Sequence, residues 1–256
     1  TAILAVRNGG YYINRLFEHL RNNGIRVIVI DNESTDDTRK LIEQNADIVI
    51  DYTVLKYHGS FNLIEQLEVK KQIIDTLDQG WVIHLDIDEC MYSDVENESM
   101  AEAIMRVDAQ GYTAINFDEF VFLPIRLLGD FNSGNYPEMH YYYFFEPKKN
   151  RLQRAFKLGT GATPSIDGHF LEGEVRMYPR NMILRHYMFQ NKRDVREKYR
   201  TRTYSSEDVS NDFHGNRLII QNREIKLPAK KRLHKTRRGQ WILDNSRPCE
   251  THFWEW

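Results

Sequence analysis

The sequence predicts an α/β fold, with a mainly parallel central sheet, helices on both faces and a less regular C-terminal portion. Short apolar runs alternate with segments of helical periodicity over residues 2–85, and this alternation is typical of parallel sheets covered on both sides. The 256 residues are 41% hydrophobic and 28% charged, which is an ordinary balance for a globular domain with a sizeable core.

The first part of the chain divides into alternating strands and helices. The run Val-Ile-Val-Ile at residues 27–30 predicts a buried strand, and the first helix carries apolar residues at helical spacing. Gly24 ends that helix, because glycine adopts positive φ without strain. The predicted strands are Ala2–Val6, Arg26–Ile30, Asp47–Asp51 and Trp81–Leu85; the predicted helices are Tyr12–Asn22, a segment capped by Ser34 or Thr35 that runs to about Asn45, and Phe61–Leu77.

The second part of the chain is less regular. A helix is predicted at Met100–Gln110 and a strand at Thr113–Phe117. Residues 124–147 are rich in Gly, Asn, Pro and Tyr, which predicts a loop or a β-hairpin. A strand near Met182–Leu184 is followed by an exposed helix over residues 192–202. Because no repeat or linker interrupts the chain, we predict one domain over residues 1–256.

Charge and cysteine content narrow the class of protein. The formal net charge of −2 gives no global basic field, so we expect no nucleic-acid partner. The two cysteines, Cys90 and Cys249, exclude a disulfide framework and suit a reducing compartment. No apolar run approaches membrane-spanning length. We expect a cytoplasmic protein, with peripheral association at the inner face of a membrane and membership of a longer multidomain chain as open alternatives.

Basic side chains concentrate near the C-terminus. We favour a solvated basic face there, and a local site for an anionic partner is the alternative. The basic residues are Arg223, Lys226, Lys230, Lys231, Arg232, Lys235, Arg237 and Arg238, opposed by Glu224.

Asp86-Ile87-Asp88 follows the fourth predicted strand. Side chains alternate along a strand, so Asp86 and Asp88 should point the same way at its end. Two adjacent carboxylates repel each other unless a cation lies between them. Mg²⁺ or Mn²⁺ would do so and keep coordination positions open for the oxygens of a diphosphate. The motif therefore predicts a divalent-metal site, with a cap of the following segment as the alternative.

A second acidic segment, residues 31–37, follows the second predicted strand. The carboxyl ends of parallel strands meet at one edge of a sheet, which places Asp31 and Glu33 near Asp86 and Asp88. An acidic side chain there can accept hydrogen bonds from a ribose hydroxyl or a base N–H. The later residues, from Ser34 onward, are expected to form the N-terminus of the next helix.

Together, D-N-E-S-T-D at residues 31–36 and W-V-I-H-L-D-I-D-E at residues 81–89 resemble the nucleotide-binding half of glycosyltransferase family 2. The spacing W-x-x-x-L-D-x-D-E resembles a bacterial subgroup of that family. The resemblance implies the GT-A fold, with a nucleotide-binding half in residues 1–95 and an acceptor half with a C-terminal extension in residues 96–256. It also implies metal-dependent, inverting transfer of a sugar from a nucleotide-sugar, UDP by default, to a hydroxyl of a glycan acceptor in polysaccharide biosynthesis.

The same resemblance implies roles for individual residues. Asp31 would contact the nucleoside, and Asp86 and Asp88 would hold the ribose and the metal-bound diphosphate. A late His-Tyr pair makes His186 a further metal ligand, with an ordinary hydrogen-bonded histidine as the alternative. The predicted metal ligands are Asp86, Asp88 and His186, and the predicted nucleotide-sugar ligands are Val6, Arg7, Asp31, Glu33, Lys70, Asp86, Ile87, Asp88, His169 and Lys198.

No motif fixes the catalytic base. An inverting transfer needs a carboxylate within hydrogen-bond reach of the acceptor hydroxyl, and the acidic pair usual for family 2 downstream of D-x-D is absent here, which leaves the stereochemical outcome open. Asp167 ranks first because nearby glycines suggest a loop shaped around a ligand. Glu172 and Glu119 follow as candidates, with Glu174 and Asp118 behind them; the glycines are Gly159, Gly161 and Gly168.

Two other functions stay open. Nucleotidyl transfer to a sugar phosphate would use the same sheet edge, although the first loop supplies only one basic residue, Arg7. A glycan-binding module that lost its chemistry is the second alternative; the intact D-x-D argues against it, and the missing acidic pair argues for it. We expect Trp241, Trp254 and Trp256 to pack on the main domain, with sugar stacking as the alternative.

Overall fold

The fold is seen in a computed structural model of the protein, which describes residues 1–127, 131–146, 152–211, 213, 225–237 and 240–256. The first part alternates strands and helices as predicted, with boundaries that differ by a few residues. Its elements are β1 (Ala2–Val6), α1 (Ile13–Asn22), β2 (Val27–Asp31), α2 (Thr38–Glu43), β3 (Val49–Val54), α3 (Leu63–Asp75) and β4 (Trp81–Leu85).

The second part contributes further strands and short helices. The strands are β5 (Glu89–Tyr92), β6 (Ala114–Ile115), β7 (Phe117–Leu123), β8 (Tyr141–Phe144), β9 (Ala155–Lys157), β10 (Thr163–Pro164), β11 (Leu171–Glu172), β12 (Met182–Tyr187) and β13 (His234–Lys235). The α-helices are α4 (Met100–Ala109), α5 (Lys192–Val195) and α6 (Ser206–Ser210).

The first sheet has the strand order β3-β2-β1-β4-β9-β6. Strands β3, β2, β1 and β4 run parallel, and β9 pairs antiparallel with both β4 and β6. This confirms the predicted α/β class with a mainly parallel central sheet. Because the parallel strands share one direction, the loops after β1, β2 and β4 all leave the same edge.

A second sheet, which the sequence analysis did not predict, has the order β13-β8-β7-β12-β5. Strand β12 runs parallel to β7 and antiparallel to β5, where Arg185 lies opposite Cys90 and His186 opposite Glu89. Strand β5 begins directly after the acidic turn that follows β4. The second sheet therefore starts at the edge of the first sheet where β1, β2 and β4 end, and it brings residues 182–187 to that edge.

Several local predictions were wrong. Helix α2 begins at Thr38 after Asp37, so neither Ser34 nor Thr35 caps it. The strand predicted at Thr113–Phe117 divides into β6 and the long strand β7, so Glu119 lies inside a strand and not beyond it. The strand predicted near Met182–Leu184 continues to Tyr187, so His186 lies within β12. The antiparallel pair β7–β8 confirms the β-hairpin interpretation of residues 124–147, of which residues 128–130 and 147 lie outside the described residues.

The predicted exposed helix at 192–202 is instead a short α-helix, Lys192–Val195, continued by a π-helical turn, Arg196–Arg200. Asp194 and Tyr199 are buried there, whereas Arg193 and Glu197 are exposed, so one side of this segment packs against the protein and the other faces solvent as predicted. Of the basic residues near the C-terminus, Arg223 and Arg238, with the opposing Glu224, lie outside the described residues, and the other six are exposed.

The largest hydrophobic cluster joins both sheets. It contains residues of β1 and α1 together with residues of β5, β7, β8 and β12. Leu16 and Phe17 of α1 have no exposed surface, and each such side chain contributes about 1.5–3 kcal/mol by leaving water. Across the described residues, no helix has both the length and the apolar character needed to cross a bilayer.

Candidate functional site

The loops after β1 and β2 are tied together by hydrogen bonds. The backbone N–H of Asn8 donates to Ser34 Oγ over 2.9 Å, and the N–H of Gly9 donates to Thr38 Oγ1 over 2.7 Å. The N–H of Thr35 donates in return to Asn8 Oδ1 over 2.8 Å. A Cβ atom on Gly9 would lie 2.4 Å from a methyl group of Val6, so this close approach requires glycine. Backbone contacts thus fix one wall of the sheet edge.

Asp31 ends β2 and is buried at this edge. Its carboxylate accepts hydrogen bonds from the backbone N–H of Ser34 and from the hydroxyl of Tyr52, both over 2.9 Å. Burial, followed by the hydrogen bond to Asp31, raises the pKa of Tyr52 to about 12, so the phenol stays a donor. The two bonds hold the Asp31 carboxylate in one orientation beside the loop that begins with Arg7.

Arg7 follows β1 and forms a platform with Tyr57. Its guanidinium lies 3.4 Å from the centre of the Tyr57 ring and donates to the carbonyl oxygens of Asn32 and Glu33. Glu33 has a positive φ of 48°, and its exposed side chain accepts from the N–H of Tyr57 over 2.8 Å. The side chains of Arg7, Glu33 and Tyr57 therefore lie together at this edge, whereas Val6 is buried.

Asp86 and Glu89 share one arginine. The Nη2 group of Arg154 donates to Asp86 Oδ2 over 3.0 Å and to Glu89 Oε1 over 2.8 Å. The Asp86 side chain is 47% exposed, whereas those of Arg154 and Glu89 are 4% exposed. Although partial burial disfavours the charged form, the Arg154 guanidinium holds the pKa of Asp86 well below its usual range. Burial raises the pKa of Glu89 despite the same arginine.

Asp88 lies in a separate, buried charge cluster. Its carboxylate accepts from His186 Nε2 over 3.1 Å and from Lys198 Nζ. His186 Nδ1 lies 2.8 Å from Glu119 Oε1, so the imidazole bridges two carboxylates. Burial lowers the pKa of His186, but the charges of Asp88 and Glu119 outweigh it and raise that pKa to about 10. The ring is therefore a cation. Lys198 and His186 together hold the pKa of Asp88 low despite burial.

This arrangement bears on the predicted metal ligands. Both ring nitrogens of His186 already donate to carboxylates, whereas a metal ligand needs a deprotonated nitrogen. Within the described residues, no group of three or more His, Cys, Asp or Glu side chains is arranged to hold a metal ion. Mg²⁺ is, however, commonly bound by one or two carboxylates together with water and phosphate oxygens. Asp86, with its half-exposed carboxylate, fits that donor set, and Asp88 is neutralised by protein cations.

Lys70 brings a further cation to the end of β4. It is buried, and its Nζ lies 3.1 Å from His84 Nε2 and 3.3 Å from the carbonyl oxygen of Leu85. Burial lowers the pKa of Lys70 to about 8 and that of His84 to about 3. The imidazole of His84 is therefore neutral, and its Nε2 atom accepts a hydrogen bond from the Lys70 ammonium group close to Asp86.

The loop at residues 165–169 closes over Arg154. The N–H of Gln153 donates to His169 O over 2.8 Å, and Arg154 Nη1 donates to Gly168 O over 3.2 Å. Asp167 accepts from Ser165 Oγ over 2.6 Å and from the N–H of His169 over 3.0 Å. Burial opposes ionisation of Asp167, but these hydrogen bonds keep its pKa below the usual value. Of the other predicted bases, Glu119 is bonded to His186, and Glu172 is exposed on β11.

The structure thus gathers most of the predicted residues at the edge where β1, β2 and β4 end. The family model of glycosyl transferase family 2 matches residues 1–164 of the chain. The chain belongs to glycosyl transferase family 2. The matched residues include both acidic loops and Arg154, so the glycosyltransferase family domain contains the edge described above.

Relatives and solved structures resemble the chain over shares that range from 38% to 88% of its length. An uncharacterized glycosyltransferase of Rickettsia felis is 31% identical over 98 residues, which cover 38% of this chain and 31% of that protein. S. aureus TarS 1-349 in complex with UDP-GlcNAc superimposes with a TM-score of 0.49 at 12% identity, covering 88% of this chain and 67% of that one. S. aureus TarS gives a TM-score of 0.45 at 11% identity, covering 73% and 36%.

The structure also adds residues that the sequence analysis missed. Arg154 neutralises both Asp86 and Glu89, yet it stands alone in an irregular segment, and no spacing signals its role. Glu89 was visible as the last residue of the D-x-D-E motif and could have been weighed as part of the site. Tyr12, whose hydroxyl donates to buried Asp194 beside Lys198, had no signal beyond its helical spacing.

Proposed function

We propose that this protein transfers a sugar from a nucleoside-diphosphate sugar to a hydroxyl group of a glycan acceptor. One observation carries the proposal: the carboxylates of Asp31, Asp86 and Asp88 and the cations Lys70 and Lys198 lie along one sheet edge, where Lys198 pairs with Asp88. A crevice at the carboxyl ends of parallel strands is the usual ligand site of such sheets. Its mixture of acidic and basic groups suits a ribose at one end and a diphosphate at the other.

The nucleoside end of this site lies between β1 and β2. Asp31 is held by Tyr52 and Ser34 with its carboxylate at the edge, where it can accept a hydrogen bond from a ribose hydroxyl or a base N–H. Arg7 and Tyr57 form a flat cation–π pair 3.4 Å apart, against which a base can stack. UDP is the default nucleotide in this proposal. Val6 would lie beneath the base when the base stacks on this pair.

The diphosphate end lies at Asp86. Lys70, Arg154 and Lys198 bring positive charge to within hydrogen-bond range of Leu85 O, Asp86 and Asp88. Mn²⁺ or Mg²⁺ held by Asp86 and the phosphate oxygens would supply Lewis-acid stabilisation of the departing nucleoside diphosphate. The protein's part is to orient the Asp86 carboxylate through Arg154 and to neutralise the buried Asp88 through His186 and Lys198. Preorganised charges of this kind stabilise a developing anion without reorganisation.

For the acceptor, we propose Asp167 as the base in an inverting transfer. The loop that carries it is tied to Arg154 through Gly168, and His169, 3.7 Å from the Asp167 carboxylate, lies within the electrostatic range of Asp86. The acceptor hydroxyl oxygen would attack the anomeric carbon and displace the nucleoside diphosphate. The Asp167 carboxylate would accept the proton of that hydroxyl. Glu119 is less suited, because it already holds His186.

Calorimetric titration with nucleoside diphosphates, with and without Mn²⁺, tests the donor site. We expect one nucleoside diphosphate to bind in a metal-dependent way, and Asp86→Ala, a change at a half-exposed side chain, to abolish the metal dependence. Asp47→Ala removes an exposed carboxylate that pairs with Arg21 and serves as the matched control with unchanged affinity.

Two results would contradict the proposal. If no nucleoside diphosphate binds with or without metal, the site is not a donor site, and a glycan-binding module without activity becomes the better account. If a nucleoside triphosphate binds and releases pyrophosphate on addition of a sugar phosphate, the chain catalyses nucleotidyl transfer. A glycosyltransferase should instead release the nucleoside diphosphate only when an acceptor hydroxyl is present.

A further inference from the structure

A second cleft, separate from the donor site, lies on the other side of the second sheet. Its volume is about 450 Å³, within the range of small-molecule sites. Arg185 of β12 forms its floor, and its walls are formed by residues 137–140 on one side and by Thr236, Arg237, Gln240 and Trp241 on the other. The lining residues used below are Glu138, His140, Arg185, Arg237, Gln240 and Trp241.

Strand geometry explains why this cleft is distinct. Arg185 and His186 are neighbours in β12, and neighbouring side chains of a strand point to opposite faces. His186 bonds to Asp88 and Glu119 on the donor side. Arg185 instead lies against Tyr92 and Phe122, with ring-centre distances of 4.7 Å and 5.6 Å. The sheet itself therefore separates the two sites.

The charge of Arg185 is held by aromatic rings rather than by a carboxylate. Its Nη2 group reaches the carbonyl oxygen of Gln240 at 3.5 Å, the outer limit for a hydrogen bond. Its Nε atom is buried and makes no hydrogen bond within the described part of the chain, although the Tyr187 hydroxyl lies near the guanidinium. None of the ion pairs found in the described part of the chain includes Arg185. A guanidinium so placed offers its planar edge to a ligand anion.

The walls add a partly exposed aromatic ring and a surplus of basic groups. Trp241 is partly buried, and its ring lies 5.9 Å from that of Tyr92. Arg237 and His140 are exposed on the walls, and Glu138 is the carboxylate among the lining residues. Gln240 adds an amide group. The combination of a flat ring, polar groups and a cationic floor suits a ligand that is both ring-shaped and anionic.

We propose that this cleft binds an acidic saccharide unit, meaning a sugar ring that carries a carboxylate or a phosphate group. Arg185 pairs with the anionic group in a charge-assisted contact, and the Trp241 ring packs against the apolar face of the sugar. The cleft stands apart from the donor site, so this inference does not rest on the proposed transfer. It gives the molecule a second contact for an acidic glycan.

Fluorine NMR of protein labelled with 5-fluorotryptophan tests the proposal. The chain has four tryptophans, and Trp241→Phe identifies the Trp241 signal while the other three serve as internal references. The probes are D-glucuronate and D-glucose 6-phosphate, compared with neutral D-glucose and with inorganic phosphate. We expect at least one of the acidic sugars to shift the Trp241 signal in a saturable way, with at least tenfold weaker response to glucose.

Variants locate the interaction. Arg185→Gln should weaken the response to the acidic sugar at least tenfold, whereas Arg193→Gln, at a 72% exposed side chain that pairs with Glu197, should leave it unchanged. If Arg185→Gln does not fold, Arg237→Gln on the exposed wall gives a second test, with a severalfold loss expected. UDP binding should be the same in the wild type and in both arginine variants, so failure here is distinguishable from failure of the donor site.

Three outcomes would overturn the inference. The first is the absence of any shift with either acidic sugar. The second is an equal response to inorganic phosphate, which would make the cleft a simple anion site. The third is a response that persists undiminished in Arg185→Gln and Arg237→Gln. A difference between the two acidic sugars, in contrast, would identify the anionic group that the cleft prefers.

Discussion

At the scale of single residues, the site depends on buried charges that neutralise one another. Asp88 is enclosed by His186 and Lys198, and Asp86 and Glu89 share Arg154. Removing one partner of a buried ion pair leaves the other uncompensated, which costs far more than removing an exposed pair. The acidic motif therefore contributes to the stability of the fold as well as to the proposed ligand site.

The substitution Lys198→Met tests the cost of leaving Asp88 without its cation, because methionine keeps the side-chain volume and removes the charge. Lys198 has 15% of its side chain exposed, so we expect a loss of about 3 kcal/mol in the free energy of unfolding, measured by urea denaturation. Lys71→Met, at an exposed position of α3, is the control and should change stability by about 0.5 kcal/mol or less. Equal effects of the two substitutions would contradict the buried-pair account.

His19 gives a pH-dependent prediction. Its Nε2 atom lies 2.9 Å from Met91 O and its Nδ1 atom 3.3 Å from Asn23 Nδ2, so Nε2 donates and Nδ1 accepts in a neutral ring. Burial lowers the pKa of His19 to about 4. Between pH 6.5 and about 4 the unfolded chain binds the extra proton, so stability falls as pH falls, by at most about 1.4 kcal/mol per pH unit.

The substitution His19→Gln isolates this contribution, because glutamine can donate to Met91 O and does not titrate. Urea denaturation at several pH values should show a smaller loss of stability between pH 6.5 and 4 in the variant than in the wild type. Identical slopes for the two proteins would show that His19 protonates equally in the folded and unfolded states. Burial would then have no effect on its pKa.

The residue scale also shows the limit of sequence reasoning. The positions of Asp31, Asp86 and Asp88 at one sheet edge could be predicted, because each residue follows an apolar run in a recognisable motif. Arg154 and its contact with Asp86 could not, since the two are separated by 68 positions along the chain. Charge compensation across such a distance depends on the tertiary fold, which no local pattern encodes.

At the scale of elements, the loop at residues 165–169 connects the proposed base to the donor site. Gly168 has a φ of +69°, and a Cβ atom there would lie 3.0 Å from His84 and 3.1 Å from Leu67. Both contacts involve side chains under the donor site, so a larger residue would push the loop away from Arg154. Gly159 has a similar φ of +76°, but a Cβ atom there would meet nothing within 4 Å.

This pair of glycines makes a matched experiment. Each of Gly168→Ala and Gly159→Ala adds backbone strain of about 1 kcal/mol, but only Gly168→Ala should also disturb the site. We expect a severalfold or greater loss of transferase activity in Gly168→Ala beyond any loss in Gly159→Ala, measured with saturating nucleotide-sugar. Equal activity of the two variants would contradict the proposed place of the loop in the site.

Element predictions succeeded where the signal was local. Strands β1 and β4 and helix α1 follow from apolar runs and helical spacing within a few residues. Strand β5 was missed because it is four residues long and pairs with β12, some ninety positions later. The helix predicted at 192–202 is present as an α-helical and a π-helical segment. Its alternating charges suggested exposure on all sides, whereas Asp194 and Lys198 point into a buried network.

At the scale of the whole molecule, the two sheets share one core. The largest hydrophobic cluster includes Leu4 of the first sheet and Phe122 and Leu184 of the second. We therefore expect a single cooperative unfolding transition, with coincident midpoints by far-ultraviolet circular dichroism and by tryptophan fluorescence. Two separated transitions would show that the first and second sheets fold as independent units.

The central claim is that a nucleotide-sugar binds at the edge where β1, β2 and β4 end. A crystal structure of the protein soaked with UDP and Mn²⁺, with anomalous data to locate manganese, tests it most directly. We predict the nucleoside beside Asp31 and Arg7, and manganese within about 2.2 Å of an Asp86 oxygen and bound to the diphosphate. Nucleotide density at any other place, or manganese that does not touch Asp86, would contradict this account.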